Sequence, residues 1–421
     1  MADKEYLTVA EALDMVLAGV AVLPPELVAL EDALGRRLAR AVHAADSLPP
    51  FDNSSMDGYA LRATDLNGAT RDSPVTLRVL ADVAAGTAPE VTVTAGTAVR
   101  IMTGAPVPPG ADAVVPVEDT DEAWRDGERP LPSQIRIMRQ VEPGAYIRRV
   151  GEDIEAGAAV MAAGHPIRPQ EIGMLAALGI HQVLVVRRPH IAILATGDEL
   201  IEVDEPLQPG KIRNSNGYAQ AAQVAALGAV PVSLGIARDT EADVRHKLQQ
   251  GLDAGVDLFI SSAGVSVGAY DVVKNVLEQM GDVHFWRVRM RPGKPLAYGT
   301  FGGVPFLGLP GNPVSSMVSF ERFARPAILK MAGHTQLERP CVSVKLAEII
   351  DSDGRESYIR AVVTRDASGV YTATTTGGQG SHLMTSLVQA NALLIVPEGV
   401  THVPVGAMLL AMMIDWPENV F

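Results

Sequence analysis

Three short stretches carry the residue types from which a site for a phosphorylated or oxyanionic substrate is built. They are ATGDEL (195–200), SSAGVSVGAYD (261–271) and LPGNPVSS (309–316). In the first, Gly197 lets the chain turn while Asp198 and Glu199 present carboxylates. In the second, Gly264 and Gly268 let backbone N–H groups converge on an anion, with Ser261, Ser262 and Ser266 as added donors. In the third, Pro310, Gly311, Asn312 and Pro313 form a rigid turn feeding a helix. Carboxylates beside a phosphate nest repel phosphate. The trio Asp198, Glu199 and Asp271 makes chemical sense when a divalent cation lies between it and the phosphate oxygens. Asp271 is equally placed to cap a helix over DVVKNVLEQM, and both roles can hold. Singly, each stretch reads as a turn or as tight strand–helix packing. Together, each at a strand end, they point to one site. The chain has no GxxxxGK[ST], and no GxGxxG follows the first strand, which argues against a Walker ATPase and a dinucleotide fold.

A basic stretch, HFWRVRMRPGKP (284–295), adds Arg287, Arg289 and Arg291 in alternation, then Lys294 in a Gly-Pro turn. Alternation along a strand predicts one shared face, able to focus an anion toward the sheet edge. IRRVGED supplies Arg148 and Arg149, and DGRESYIR supplies Arg355 and Arg360.

The background is acidic: 421 residues carry a net charge of -14, with 47% hydrophobic and 20% charged residues. That profile is globular and disfavours nucleic acid and anionic membranes as partners. A single cysteine, Cys341, rules out an intrachain disulfide framework or a cysteine-based zinc site, and the nine histidines show no HExxH spacing. MADKEYLT has neither the basic start nor the apolar core of a signal peptide, and no apolar run approaches the ~18–20 residues of a membrane span. A cytoplasmic, soluble protein is expected.

The elements that must position these loops follow from periodicity. Thr8 and Glu11 form a capping-box pattern ahead of a helix carrying Val9, Leu13, Val16, Leu17 and Val20 on one face. ELVALEDALGRRLA reads as a second helix. From residue 48 to 144 the texture is turn-rich and alternating, as in an inserted mostly-β domain. From 188 to 332, strand, loop and helix repeat, predicting a parallel sheet wrapped by helices, whose ligand edge lies beyond the strands' carboxyl ends. Residues 333–421 read as a small β domain.

The motifs PPFDNSSMDGYALR, RIMTGAPVP, IRRVGEDI, LATGDEL, GKIRNSN, SSAGVSVGAYD, RPGKPLAYG, GLPGNPVSS and GSHLMTSLVQANALLIVP, in that order, resemble the MoeA family of molybdopterin molybdenumtransferases along essentially the whole chain. The resemblance implies a multidomain α/β fold: a central αβ domain of molybdopterin-binding type, an inserted mostly-β domain, a linking αβ domain and a C-terminal β-barrel-like domain. By the same resemblance, residues 1–26 are expected to form an N-terminal helix packing on the αβ domain, and 27–47 with 145–187 the linking domain. It implies an elongated homodimer with the site between subunits. The implied reaction joins molybdate to adenylylated molybdopterin, releases AMP and forms molybdenum cofactor, with Mg²⁺ or Zn²⁺. The implied protein partners are the molybdopterin adenylyltransferase and apo-molybdoenzymes.

The resemblance assigns catalytic roles to Asp57 and Thr103, facing the partner's αβ domain, and to Glu199, Asp239, Asp271, Arg287 and Arg291. It assigns binding roles to Ser262, Gly264, Ser266, Gly268, Lys294, Pro310, Gly311, Asn312, Pro313, Arg148, Arg360 and Ser381, and a metal to Asp198, Glu199 and Asp271. The chain departs from the family at Ala263, where glycine is usual, at Asn214, where aspartate is common, and at Arg287 and Arg291, where lysines are frequent. Arginine keeps the charge but replaces a point with a fork. Two rivals are another enzyme on the same αβ domain, which would adenylylate the pterin or hydrolyse a nucleotide pyrophosphate, and a scaffold.

Overall fold

The computed structural model describes residues 6–122, 130–262, 276 and 281–416. Gly264, Ser266, Gly268, Asp271 and Ala263 lie outside them. The chain divides into two units, one of Met1–Ala39, Pro166–Arg168 and Gln182–Phe421, the other of Arg40–His165 and Pro169–His181. Among the described residues, no helix is long and apolar enough to cross a membrane.

The first unit is organised by a six-stranded sheet: β1 (His190–Thr196), β2 (Val230–Ala237), β3 (Leu258–Ser262), β4 (Gly281–Arg287), β5 (Pro295–Phe301) and β6 (Val304–Leu309). Their spatial order is β2-β1-β3-β6-β5-β4. The first four run parallel, as the repeated βα pattern predicts. β5 and β4 extend the sheet antiparallel, because short non-helical connections, residues 288–294 and the Gly302–Gly303 turn, join β4, β5 and β6. Both faces are buried. Ile191, Ile193, Leu258 and Ile260 pack on one side with the N-terminal helix, Val314, Phe320 and Phe323. Ala192, Leu194 and Phe259 pack on the other with Val244, Leu248 and Phe306. That period-2 split explains why these strands read as unbroken apolar runs.

The helix Val9–Ala18 starts as expected. The Glu11 N–H donates to the Thr8 hydroxyl at 3.2 Å, and the Thr8 N–H donates to the Glu11 carboxylate at 2.9 Å. The second expected helix is not one. Pro25–Ala29 is a strand paired antiparallel with Gln182–Val186, followed by a 3-10 turn at Leu30–Asp32. A distant strand won over local helical periodicity. Arg36 locks the arrangement by donating to the Val186 carbonyl at 2.8 Å and pairing with Glu26.

The C-terminal strands close into a five-membered barrel. Glu356–Arg365, Tyr371–Thr375, Cys341–Leu346, Met408–Met413 and Ala392–Val396 pair in turn, and the last pairs back to the first. Val344, Ile359, Val363, Leu394 and Met413 fill it.

The second unit holds a five-stranded sheet ordered Ala113–Pro116, Gly58–Leu61, Thr97–Ile101, Val75–Val83 and Gln134–Ile137. Tyr59, Leu61, Ala98 and Val115 are fully buried in it. Gly58 is required by close approach, since a Cβ there would lie 2.0 Å from the Val115 carbonyl oxygen.

Candidate active-site cleft

A cleft of about 720 Å³ opens at the carboxyl ends of β1, β3 and β6, where Thr196, Ser262 and Pro310 line it. This is the edge at which parallel sheets take ligands. The short β-pair of Leu200–Ile201 with Ile212–Arg213 forms one wall. The turn 291–295 and the loop 379–381 supply others.

The loops are fastened by named bonds. The Asn216 side chain donates to the Gly311 carbonyl at 2.8 Å, tying GKIRNSN to the Pro-Gly-Asn-Pro turn. Asn214 is buried and caps the helix Ser215–Ala226 by accepting from the Gly217 N–H at 3.0 Å. An asparagine oxygen serves that purpose without the charge of an aspartate. Gly197 has φ +138, and a Cβ there would lie 2.3 Å from the Glu199 carboxylate. Glycine therefore gives both the turn and the room in which Glu199 lies.

Electrostatics decide what the cleft accepts. Among the described lining residues Arg213, Arg291, Lys294 and Arg355 are cationic, and Glu199 is the one carboxylate. In a chain of net charge -14 this concentration favours an anion. Asp353 organises the rim, pairing with Arg355 at 2.5 Å and Arg291 at 3.6 Å. The hydrogen bond from Arg355 holds the Asp353 carboxyl below the usual carboxylate range. Beneath the rim, Arg360 is buried. It donates to the Ser386 hydroxyl at 3.0 Å and to the Gly380 and Gly378 carbonyls at 3.2 and 3.4 Å. Burial, and then the neighbouring Arg291 charge, lower its pKa to about 10. Arg360 thus holds the loop that presents Gln379, Gly380 and Ser381 to the cleft.

Of the residues singled out from the sequence, Glu199, Ser262, Arg291, Lys294, Pro310, Gly311, Asn312, Pro313 and Ser381 share this cleft. Asp198 and Asp239 stand beside its β1 and β2 ends and hold each other. The Asp198 N–H donates to the Asp239 carboxylate at 3.1 Å, and the Asp239 N–H to Asp198 at 3.2 Å. Neither lines the cleft.

The single arginine face is not formed. β4 ends at Arg287, and Met290–Arg291 pairs instead with the barrel strand Glu356–Arg365. Arg287 stacks on Tyr6, Arg289 pairs with Glu398 at 2.6 Å, and Arg291 alone of the three reaches the cleft. The alternation spans a break in pairing.

In the second unit, Asp57 and Thr103 are exposed and joined. The Asp57 carboxylate accepts from the Thr103 N–H at 2.7 Å and from its hydroxyl at 2.8 Å. Arg148 is exposed on a short strand paired with Asn53–Ser54, while Arg149 is paired to Asp52 at 2.6 Å. Nothing in the residue pattern marked Thr196, Arg213 or Gln379, since each serves through position in the fold.

Three family signatures match the chain: "MoeA N-terminal region (domain I and II)" over residues 7–179, "Probable molybdopterin binding domain" over 192–330, and "MoeA C-terminal region (domain IV)" over 343–411. A protein of Mycobacterium tuberculosis named molybdopterin molybdenumtransferase 2 is 42% identical, over 91% of this chain and 94% of its own. The chain belongs to the MoeA family. A Nostoc molybdopterin molybdenumtransferase is 40% identical over 92% of this chain and 88% of its own. The crystal structure of a MoeA molybdopterin biosynthesis protein from Pyrococcus horikoshii superposes with a TM-score of 0.79, at 29% identity, over 97% of this chain and 100% of that one. The cleft lies chiefly in the part matched by the molybdopterin-binding signature, and the MoeA C-terminal region adds Arg355 and the loop 379–381.

Proposed function

We propose that the cleft seats adenylylated molybdopterin together with molybdate, and that the reaction joins them with loss of AMP. The chain is a molybdopterin molybdenumtransferase, an enzyme of molybdenum cofactor biosynthesis. The observation that carries the finer reading is the four-to-one excess of cationic over anionic side chains lining the cleft. Molybdate is a tetrahedral dianion and the adenylylated pterin carries a pyrophosphate link. Both need that charge neutralised before they can sit side by side. In the proposed reaction the elements of water add across the phosphoanhydride, giving AMP and the pterin monophosphate. The two dithiolene sulfurs displace two molybdate oxo groups, which take up the thiol protons and two protons from solvent and leave as water. No lining side chain is placed as a covalent nucleophile among the described residues. The protein's contribution is positioning and charge stabilisation. Arg291 and Arg355 offer planar forks for oxyanions and Lys294 a point charge. The backbone around Gly311 and Gly380 allows close approach.

The divalent cation that the family implies fits the residues present. The described lining contains carboxylate, hydroxyl and amide oxygens but no histidine or cysteine, a donor set suited to Mg²⁺ rather than Zn²⁺. Among the described residues no three acidic, histidine or cysteine side chains form a complete cage. In the proposal the ion is held by one or two carboxylates plus substrate phosphate and water. Glu199 is the described residue best placed to hold it, with Asp198 adjacent and Asp271 outside the described residues. When bound, the ion would neutralise charge developing on the phosphoanhydride. In the same proposal Asp57 and Thr103 complete the cleft of a partner subunit in a homodimer, and the product passes to apo-molybdoenzymes. The oligomer is checked by analytical ultracentrifugation.

The deciding experiment measures AMP release from adenylylated molybdopterin with and without molybdate and Mg²⁺. Release that requires both, and yields cofactor able to activate an apo-molybdoenzyme, supports the proposal. Release indifferent to molybdate would make the enzyme a hydrolase, and binding without release a carrier.

A further inference from the structure

The residues just ahead of the N-terminal helix reach the rim of the cleft. The Leu7 N–H donates to the Arg287 carbonyl at 2.9 Å, and the Arg289 N–H returns to the Leu7 carbonyl at 2.8 Å. These bonds make Leu7 a one-residue parallel bridge to Val288. The Val288 N–H in turn donates to the Lys294 carbonyl at 2.8 Å. The turn between is pinned at Gly293, where φ is +109 and a Cβ would lie 2.5 Å from the Ser319 hydroxyl. This framework brings the Tyr6 ring beneath two cations, with the Lys294 ammonium 5.2 Å and the Arg287 guanidinium 5.9 Å from its centroid.

We propose that Tyr6 is a positioning residue for the anion cleft: its ring face holds the Lys294 ammonium at the rim and so sets how tightly the anionic substrate is bound. The contrast with the neighbouring cations supports this. Arg291 and Arg355 are held by Asp353, whose negative charge offsets part of theirs. Among the described residues no carboxylate pairs with Lys294. An aromatic face orients a cation through its quadrupole and adds no net negative charge. Lys294 is exposed, and a lysine ammonium sits on a flexible four-carbon stem. Fixing it before substrate arrives removes an ordering cost from the binding step, while its full unit charge stays available to the ligand.

The inference rests on the reading of the cleft as the seat of adenylylated molybdopterin. It is tested by steady-state AMP release and by calorimetric titration of adenylylated molybdopterin into Tyr6→Leu, Tyr6→Phe, Lys294→Ala and the Tyr6→Leu/Lys294→Ala double variant. A cation–π contact at an exposed site corresponds to about a threefold change. Tyr6→Leu should therefore raise both KM and Kd about threefold and leave kcat unchanged. Tyr6→Phe, which keeps the ring, should behave as the unaltered protein. On the Lys294→Ala background, Tyr6→Leu should add nothing, because the pair acts as a unit. The inference is overturned by unchanged binding in Tyr6→Leu, by loss of kcat at constant KM, by a Tyr6→Phe variant as weak as Tyr6→Leu, or by a Tyr6→Leu effect that survives without Lys294. The titration reads binding without turnover, so a protein that bound the pterin but released no AMP would sink the proposed function and still decide the role of Tyr6.

Discussion

Gly197→Ala is the sharpest single test of how the cleft is built. It adds one methyl group to a residue at φ +138, a region that L side chains rarely adopt, and puts that methyl 2.3 Å from the Glu199 carboxylate. The backbone strain alone costs ~1–3 kcal/mol. The clash is relieved only when the Glu199 side chain moves, because the rest of the turn is tied by the Gly197 N–H to the Ala237 carbonyl at 3.2 Å and the Ile212 N–H to the Glu199 carbonyl at 2.8 Å. A displacement near 1 Å of a group that positions substrate or cation lowers activity on the order of 100-fold. Gly228→Ala is the control. Its φ is +75 and nothing lies within 4 Å of the added Cβ, so it carries strain without touching the cleft. The assay is AMP release with molybdate and Mg²⁺, alongside urea denaturation monitored by circular dichroism. Both variants should lose stability, and Gly197→Ala alone should lose turnover. Full turnover in a folded Gly197→Ala protein would show that the position of Glu199 does not matter to the chemistry.

Three other outcomes follow from the packing. Glu321 is mostly buried and accepts from Arg339 at 2.7 Å, with Arg325 at 3.8 Å and the Gln223 amide at 3.1 Å. Among the described residues, Glu321→Ala leaves Arg325 and Arg339 with only the Leu337 and Ile414 carbonyls as partners, and should cost ~1.5–3 kcal/mol by denaturant titration. Gly58→Ala drives a methyl into the Val115 carbonyl, and should destabilise the second unit on the order of 3 kcal/mol, seen as early proteolysis of that unit. His334 accounts for one part of the acid limb of stability. Burial, then Arg37 and Arg325, lower its pKa from 6.5 to about 4, so the folded chain holds it neutral where the unfolded chain protonates it. Its contribution is complete above about pH 6.5 and is lost as the pH falls toward 4. A His334→Gln variant should show a shallower decline of the urea midpoint across that window.

Much of the architecture was readable because local and long-range signals agreed. The capping box at Thr8 and Glu11, the buried runs of β1 and β3 and the glycine and proline punctuation of the loops at 195–200 and 309–316 each state one structure and obtain it. The failures share a cause. ELVALEDALGRRLA has helical spacing, yet Leu27 and Val28 pair with a strand more than 150 residues away. The arginine alternation at 287–291 crosses from one sheet to another. In both, the partner that decides the conformation is remote in sequence. The same holds within the cleft. Glu199, Lys294 and the Pro-Gly-Asn-Pro turn announce themselves by residue type, whereas Thr196, Arg213 and Gln379 are ordinary residues made relevant by where the chain puts them. Asp353 is readable only in three dimensions, as the carboxylate shared by two arginines of the rim.

The interleaving of the two units sets a schedule for synthesis. Pro25–Ala29 leaves the ribosome early but pairs with Gln182–Val186, and Arg36 reaches the Val186 carbonyl across 150 positions. At roughly 5–20 residues per second, the first segment waits on the order of ten to thirty seconds for its partner. Meanwhile the chain from Arg40 to His165 has emerged with a sheet of its own. Once that intervening stretch is compact, Arg37 can meet Pro166 without closing a long floppy loop, and the entropy of closure falls. A lesion that slows the second unit, such as the one at Gly58, therefore leaves an apolar N-terminal strand and helix unpaired in the nascent chain. Its cost would fall on yield in the cell before it appeared in the activity of the molecules that fold.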